Sequence, residues 1–402
     1  MLLILRGGRV IDPLSERDEI TDVLCDDGRI AAIGPDLAAA NTDATVIDVA
    51  GRLVTPGLID LHVHVFPGLG DFCVGADEVG VDMGVPVLVD GGTSGVATFD
   101  ISRRAVIDHP STRTRVFAFV DPNQLYLATK DFICHRLEIA NDERNIDEAS
   151  LAASLERNAD VLVGLKVRAC WSNDPERSPF LEAAMRTAPN LPIMVHLGRF
   201  PHTPTISTPA LLRALRPGDI ITHAFRGAGG MLDQGGKAIA EFRDAIDRGV
   251  RLDVGHSGTD FRFREARRLF EQGYLPDTIS TDLNVFNING PVFSLAENMT
   301  KMLALGVELP SVIAMATSNV ARAIGKLHEL GSLQIGRVAE VSVLRIVDGP
   351  VPLSDGHETV VADRGFAPVG CVRGGEWIPA KPVATFKSTG RTWSDGDPSQ
   401  EW

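Results

Sequence analysis

The run VLVGLKVRAC, Val161 to Cys170, decides how the middle of the chain is read. Val161 to Leu165 have the composition of a short buried strand. Lys166 follows, and Arg168 comes two residues later. Side chains alternate along a strand, so Gly164, Lys166 and Arg168 share one face. A lone lysine at such a place is ordinarily a strand end whose amine snorkels to water. Gly164, on the same face, reads as leaving room for a side chain that reaches inward instead.

Similar short apolar runs recur between about Pro56 and Leu330. They are GLIDLHVH, VPVLVDGG, RVFAFVD, DVLVGLKVR, LPIMVHLG, DIITHAF, VRLDVGH and DTISTDL. Stretches with helical spacing separate several of them, among them SLAASLERNA, PFLEAAMRTA, TPALLRALR, KAIAEFRDAIDRG and REARRLFEQG. Strands alternating with helices in this way predict an α/β fold, a (β/α)8 TIM barrel. Both ends of the chain read differently. LLILRGGRVIDP looks like two strands about a Gly-Gly turn, and DVLCDDGRIAAIGP like a hairpin about Asp27-Gly28. GSLQIGRVAEVSVLRI and VVADRGFAPVGCVRGGEWI are β-rich as well. The expected division is a β-sandwich built from residues 1–55 and 331–380, a catalytic barrel over 56–330, and a polar C-terminal arm over 381–402 with little structure of its own.

A barrel of this kind carries its chemistry at the C-terminal ends of its strands. The first run ends in His62-Val63-His64, the fourth in Lys166 and Arg168, and the fifth in His196. The sixth ends in His223, the seventh in Asp253 and His256, and the eighth near Asp282. One histidine at a strand end is usually a hydrogen-bonded core residue. Four histidines, a lysine and an aspartate converging on one mouth are a different matter. Packed together without cations they would be costly, and as metal ligands they stabilise one another. His109, His135, His202, His328 and His357 fall outside the pattern.

Bulk properties narrow the function. The chain has 402 residues, 44% hydrophobic and 23% charged, with a net charge of −14. That excess of acid argues against nucleic acid and against anionic membranes as partners. The run Met1–Leu5 is too short for a signal-peptide core, and no apolar stretch has the length of a membrane span. Cys25, Cys73, Cys134, Cys170 and Cys371 are scattered and form no CxxC pair, which fits a reducing cytoplasm.

With TPGLIDLHVH (55–64), Lys166, His196, His223, Asp282, ATSNVARAIG (316–325) and GSLQIGRVAEV (331–341), the sequence resembles the amidohydrolase superfamily along nearly its whole length. Glu340 stands where the family usually has aspartate, in the terminal β region and away from the chemistry. DGGTSGVATFD (90–100), GLKVRA (164–169), HAFRG (223–227) and DVGH (253–256) are similar to a deacetylase-type subgroup, related to dihydroorotases and D-aminoacylases. Dihydroorotases normally place an arginine just after HxH, where this chain has Val65. Typical D-aminoacylases use a cysteine ligand where Gly91, Gly92 and Thr93 stand.

The resemblance implies two divalent metal ions, with zinc suiting the donors best, and a carbamate on Lys166 that bridges them. It implies that His62, His64 and Asp282 hold one ion and that His196 and His223 hold the other. A metal-bridging hydroxide then attacks the substrate carbonyl, and Asp282 carries the proton to the leaving group. Arg168, Arg226 and His256 are the candidate contacts for a small substrate bearing a carboxylate; for Arg168 the competing role is to brace the metal site. The expected reaction is deacetylation of N-acyl amino acids or O-acyl hydroxy acids. The alternatives are a cyclic amidohydrolase of hydantoinase, dihydropyrimidinase or dihydroorotase type, and a non-catalytic scaffold. Since barrels of this type often associate, a homo-oligomer is among the expectations.

Overall fold

A computed structural model describes residues 2–70, 72–126, 142–168, 174–197, 205–227 and 230–391. Seven parallel strands form its central sheet: β6 (Ile59–Val63), β7 (Val87–Gly95), β8 (Arg115–Asp121), β9 (Leu162–Val167), β10 (Ile193–His196), β11 (Ile220–Thr222) and β12 (Arg251–Leu252), hydrogen-bonded in chain order. The sheet curls, and the segment after β12 meets both of its edges. Asp253 bridges Thr278 on one side, and Val63 bridges Leu283 on the other.

That segment, DTISTDL, was expected to be the eighth strand, and it makes isolated bridges instead. The reason is local. The Asp60 carboxylate takes the Thr281 amide that a ladder partner would use, at 3.1 Å. Asp282 then adopts φ 57°, outside the extended region.

Apolar residues alternate along the strands, so each strand contributes to two packed clusters. Val87 and Val89 join one, for example, and Leu88 the other. Both faces are therefore covered, as parallel sheets require. The helical runs form where expected, including Glu148–Arg157, Pro179–Thr187 and Thr208–Ala214. Their starts are encoded locally. Ser178 and Ser207 accept from amides three residues on, with proline in the first turn of each helix.

Strands from the two chain ends share one eight-stranded sheet. They are β1 (Leu3–Asp12), β2 (Arg17–Asp26), β3 (Arg29–Gly34), β4 (Thr45–Asp48), β5 (Leu53–Pro56), β13 (Val341–Ser354), β14 (Thr359–Arg373) and β15 (Glu376–Pro379). The order is β15-β14-β13-β5-β1-β2-β3, with β4 alongside β1. Of the expected sandwich, this establishes that both termini build a common β-sheet. The Asp27-Gly28 hairpin forms as read, with both residues at positive φ. The Gly7-Gly8 turn does not form. β1 runs straight through it with a register shift between Leu5 and Gly8. A glycine pair serves a bulge as readily as a turn, and here Gly7 at φ 72° donates its amide to Asp22.

The C-terminal arm is also more structured than expected up to Arg391. Thr385 caps a short helix, Phe386–Thr389, whose first amide meets the Glu297 carboxylate at 3.2 Å. Residues 392–402 of the arm lie outside the described residues, as do Cys134, Cys170, His135 and His202. Among the described residues, no helix is long and apolar enough to cross a membrane.

Gly164 has a different purpose from the one its sequence position suggests. A Cβ there would lie 2.5 Å from the Pro192 carbonyl oxygen and 2.6 Å from the Phe119 ring. Close packing between β8, β9 and β10 demands the glycine, and the Lys166 side chain does not. Gly164→Ala should therefore destabilise the protein by roughly 1–3 kcal/mol, the usual cost of overpacking. Gly34→Ala, with no atom within 4 Å of the new Cβ, is the control. Urea unfolding of both variants checks the contrast, and equal midpoints would count against this packing argument.

Candidate metal centre

At the C-terminal end of the parallel sheet the structure brings His62, His64, Lys166, His196, His223 and Asp282 together. Potential ligand atoms of His62, His64 and Asp282 lie within 4.8 Å of one another, and those of His196, His223 and Asp260 do likewise. The two groups adjoin. Ring centroids are 5.3 Å apart for His62 and His223, and 4.3 Å for His196 and His223. Lys166 is buried among them, with its Nζ 2.8 Å from His62 Nε2.

The hydrogen bonds behind the histidines fix which ring nitrogen faces the centre. Thr93 donates its hydroxyl to Asp90 at 2.7 Å, and Asp90 also accepts the amides of Val65 and Thr93. With its one hydrogen committed, Thr93 Oγ1 can only accept, so it takes Nδ1–H of His64 at 2.7 Å. Thr222 repeats the arrangement. It donates to Asp253 at 2.8 Å and accepts from His62 Nδ1 at 3.1 Å. His223 Nδ1 meets the Gly255 carbonyl at 2.6 Å. In all three rings Nε2 is left bare, the tautomer a metal ligand needs.

Those bare nitrogens provide the test of whether cations fit. His64 Nε2 lies 2.9 Å from Asp282 Oδ1, and a ring whose single hydrogen goes to Thr93 turns a lone pair toward that oxygen. Asp282 Oδ1 and His223 Nε2 are both buried without a hydrogen-bond partner. Lone pairs aimed at one another in a dry site are costly unless a cation lies between. Burial holds His62 and His196 well below their ordinary 6.5, and lowers His223 too. They are therefore neutral, as ligands must be. The donor set fits divalent cations.

Two of these residues adopt strained backbone at the centre, His223 at φ 62° and Asp282 at φ 57°. Gly91 and Gly92 make space. A Cβ on Gly91 would meet His62 at 2.0 Å, and one on Gly92 would meet Lys166 at 2.4 Å. Asn284 and Asn287 brace Asp282 from behind. Asn284 and Asn287 both donate to its carbonyl, at 2.9 and 2.7 Å.

The expected substrate contacts are placed less uniformly. Arg168 donates to Asp121 at 2.7 Å and to the Gly92 carbonyl at 3.3 Å, and it stacks 3.8 Å from the Tyr126 ring. Arg226 approaches His196 Nε2 at 3.3 Å, pairs with Asp260 at 3.1 Å and donates to the Leu197 carbonyl. His256 is buried, with both ring nitrogens engaged by Gly258 and Lys301. Sequence reasoning missed Asp60, Asp90, Asp121 and Asp260. Asp60 and Asp90 do sit on strands beside the HxH and Gly-Gly runs, where a charged residue in an apolar strand was the available signal.

Fold and site together define a metal-dependent hydrolase built on a curled parallel sheet. Comparison with known proteins supports this class. No family model matches the chain. Curated relatives named deacetylase match along nearly its whole length. The one from Brucella anthropi is 33% identical over 394 residues, covering 94% of this chain and 93% of its own. A solved adenine deaminase superposes with a TM-score of 0.83 at 25% identity, over 94% of this chain and 99% of the other. A solved dihydroorotase gives 0.81 at 30% identity over the same shares. The chain belongs to the amidohydrolase superfamily and is an enzyme.

The tautomer argument makes a prediction. Thr93→Val and Thr222→Val keep the side-chain shape but remove the acceptor for Nδ1–H. Each should weaken metal binding by about 10–100-fold. Titration with a competing chelator measures this, and wild-type affinity in both variants would contradict the assignment.

Proposed function

We propose that this enzyme removes acyl groups from N-acyl amino acids or O-acyl hydroxy acids with the help of two divalent cations. The observation carrying the metal-dependent part is the convergence of bare Nε2 atoms and Asp282 Oδ1 around buried Lys166. The deacylation part is supported by relatives named deacetylase that span nearly the whole chain. We assign His62, His64 and Asp282 to one ion and His196 and His223 to the other, with Lys166 joining them as a carbamate. Imidazole and carboxylate donors suit zinc. Bound there, such ions would polarise a carbonyl oxygen and acidify water.

The remaining chemistry belongs to the chain. Burial pulls Lys166 from 10.5 down to about 7, which favours the neutral amine that carbon dioxide requires. Asp282, its Oδ1 aimed into the centre, takes the proton of attacking water and delivers it to the leaving nitrogen or oxygen. Thr93 and Thr222 hold the rings of His64 and His62. Arg226, beside His196, is the residue we assign to a substrate carboxylate, and Arg168, locked to Asp121, braces the strand that carries Lys166. Residues 56–330 carry this machinery. We read residues 1–55 and 331–380 as a small β-sandwich domain, 381–402 as the arm, and the cytoplasm as the compartment.

A cyclic amidohydrolase is the second reading, favoured by the structural likeness to a dihydroorotase. N-acetyl amino acids of both hands, O-acetyl hydroxy acids, hydantoins, dihydropyrimidines and dihydroorotate, assayed with zinc supplied, separate the two. Acyl release with no ring opening is expected. Ring opening alone would overturn the deacylase assignment. Lys166→Ala should lower kcat by about 10²-fold or more, with partial rescue by added acetate or propionate. Normal turnover in that variant, or well under one ion per chain in active protein by elemental analysis, would exclude the bridged metal pair.

A further inference from the structure

Lys301 lies on the helix Leu295–Ala304, just after the loop that follows Asp282, and its side chain is fully buried. Its Nζ meets the Pro291 carbonyl at 2.8 Å, Asn298 Oδ1 at 3.3 Å and His256 Nε2 at 2.8 Å. Asn298 is oriented by its other end, since its Nδ2 donates to the Ser280 carbonyl. The first two partners accept hydrogens from Nζ. The third is constrained from the far side of its ring. The Gly258 amide, shared with the His256 carbonyl, points at His256 Nδ1 from 3.1 Å. Nδ1 is therefore a bare nitrogen, and the neutral ring carries its hydrogen on Nε2. An ammonium has three hydrogens and no lone pair, so it would set N–H against N–H. An amine has two hydrogens and one lone pair, which matches two acceptors and one donor.

We infer that Lys301 works as a neutral amine, and that in this form it is a positioning residue for the metal centre. It ties the turn after β12 to the loop and helix behind Asp282. That turn touches the site directly. The Gly255 carbonyl orients His223, and Ser257 donates to Asp260 at 2.6 Å. The Ser257 carbonyl and the Asp282 carbonyl accept from the same amide group, Nδ2 of Asn287. A charged Lys301 forces the His256 proton to Nδ1, against the Gly258 amide. The turn then has to shift, and His223 and Asp282 lose their fixed orientation.

The surroundings agree with a lowered basicity. Burial pulls Lys301 from 10.5 down to about 8, opposed by Glu297 on its own helix and by Asp355 from the loop between β13 and β14. Burial also holds His256 well below 6.5, and Arg262 acts in the same direction. The amine form therefore gains population as pH rises through about 8.

Zinc-loaded protein carrying ¹⁵N-labelled histidine and lysine tests this by NMR. One buried ring with its hydrogen on Nε2 is expected, coupled to a lysine nitrogen with the shift of an amine at pH 9. Lys301→Met and Lys301→Arg identify the signals. Lys301→Met should keep the ring tautomer and lose the ionisation near pH 8 from the kcat profile. Lys301→Arg, permanently charged, should lower kcat at least tenfold more than Lys301→Met, with KM little changed. A ring with its hydrogen on Nδ1 beside an ammonium at pH 9 would overturn the inference, and so would equal kcat profiles for the two variants. If Lys301→Arg does not fold, the wild-type spectrum decides. The spectrum needs no substrate, so it stands or falls separately from the proposed reaction.

Discussion

The approach of His64 Nε2 to Asp282 Oδ1 at 2.9 Å sets two lone pairs against each other inside the protein. Much of the surrounding structure serves to hold that arrangement. Neither atom can turn away. His64 is fixed through Thr93 to Asp90, and Asp282 is fixed by two asparagines on its carbonyl and by its left-handed backbone. A cation bound between these atoms would turn that contact into a favourable one. Metal bound there would be linked to folding for that reason.

Buried carboxylates form the layer that makes this possible. Asp60, Asp90, Asp121 and Asp253 are each fully or almost fully buried, and each accepts several hydrogen bonds. Asp90 and Asp253 act through threonines on the two histidines of the HxH pair. Asp60 and Asp121 hold backbone and Arg168. The buried acidic side chains near the site thus have a definite division of labour. Asp282 faces the histidine cluster, and the others set the geometry around it.

Lys301 and His256 extend the same logic one step outward. Their contact lies behind the candidate metal centre, yet it joins the two segments that carry His223's carbonyl partner and Asp282. The C-terminal arm reaches the same helix through Glu297. The arm as far as Arg391 is therefore packed against the scaffold of the site.

The linear sequence determined the alternation of strands and helices, the hairpin at Asp27-Gly28, and the placing of His62, Lys166 and His196 near strand ends. These depend on periodicity, on local turn chemistry and on the rule that parallel strands present their C-terminal ends together. Tertiary structure decided the rest. Gly7-Gly8 became a bulge because Asp22 and Val54 close in on it from other strands. The eighth run lost its ladder because a carboxylate from β6 replaced a backbone partner. Arg168 turned to Asp121, and His256 to Lys301, across distances in sequence of 47 and 45 residues. A residue's type and spacing can show that it carries charge at a strand end. Which neighbour satisfies that charge is set only when distant segments are packed within hydrogen-bonding reach.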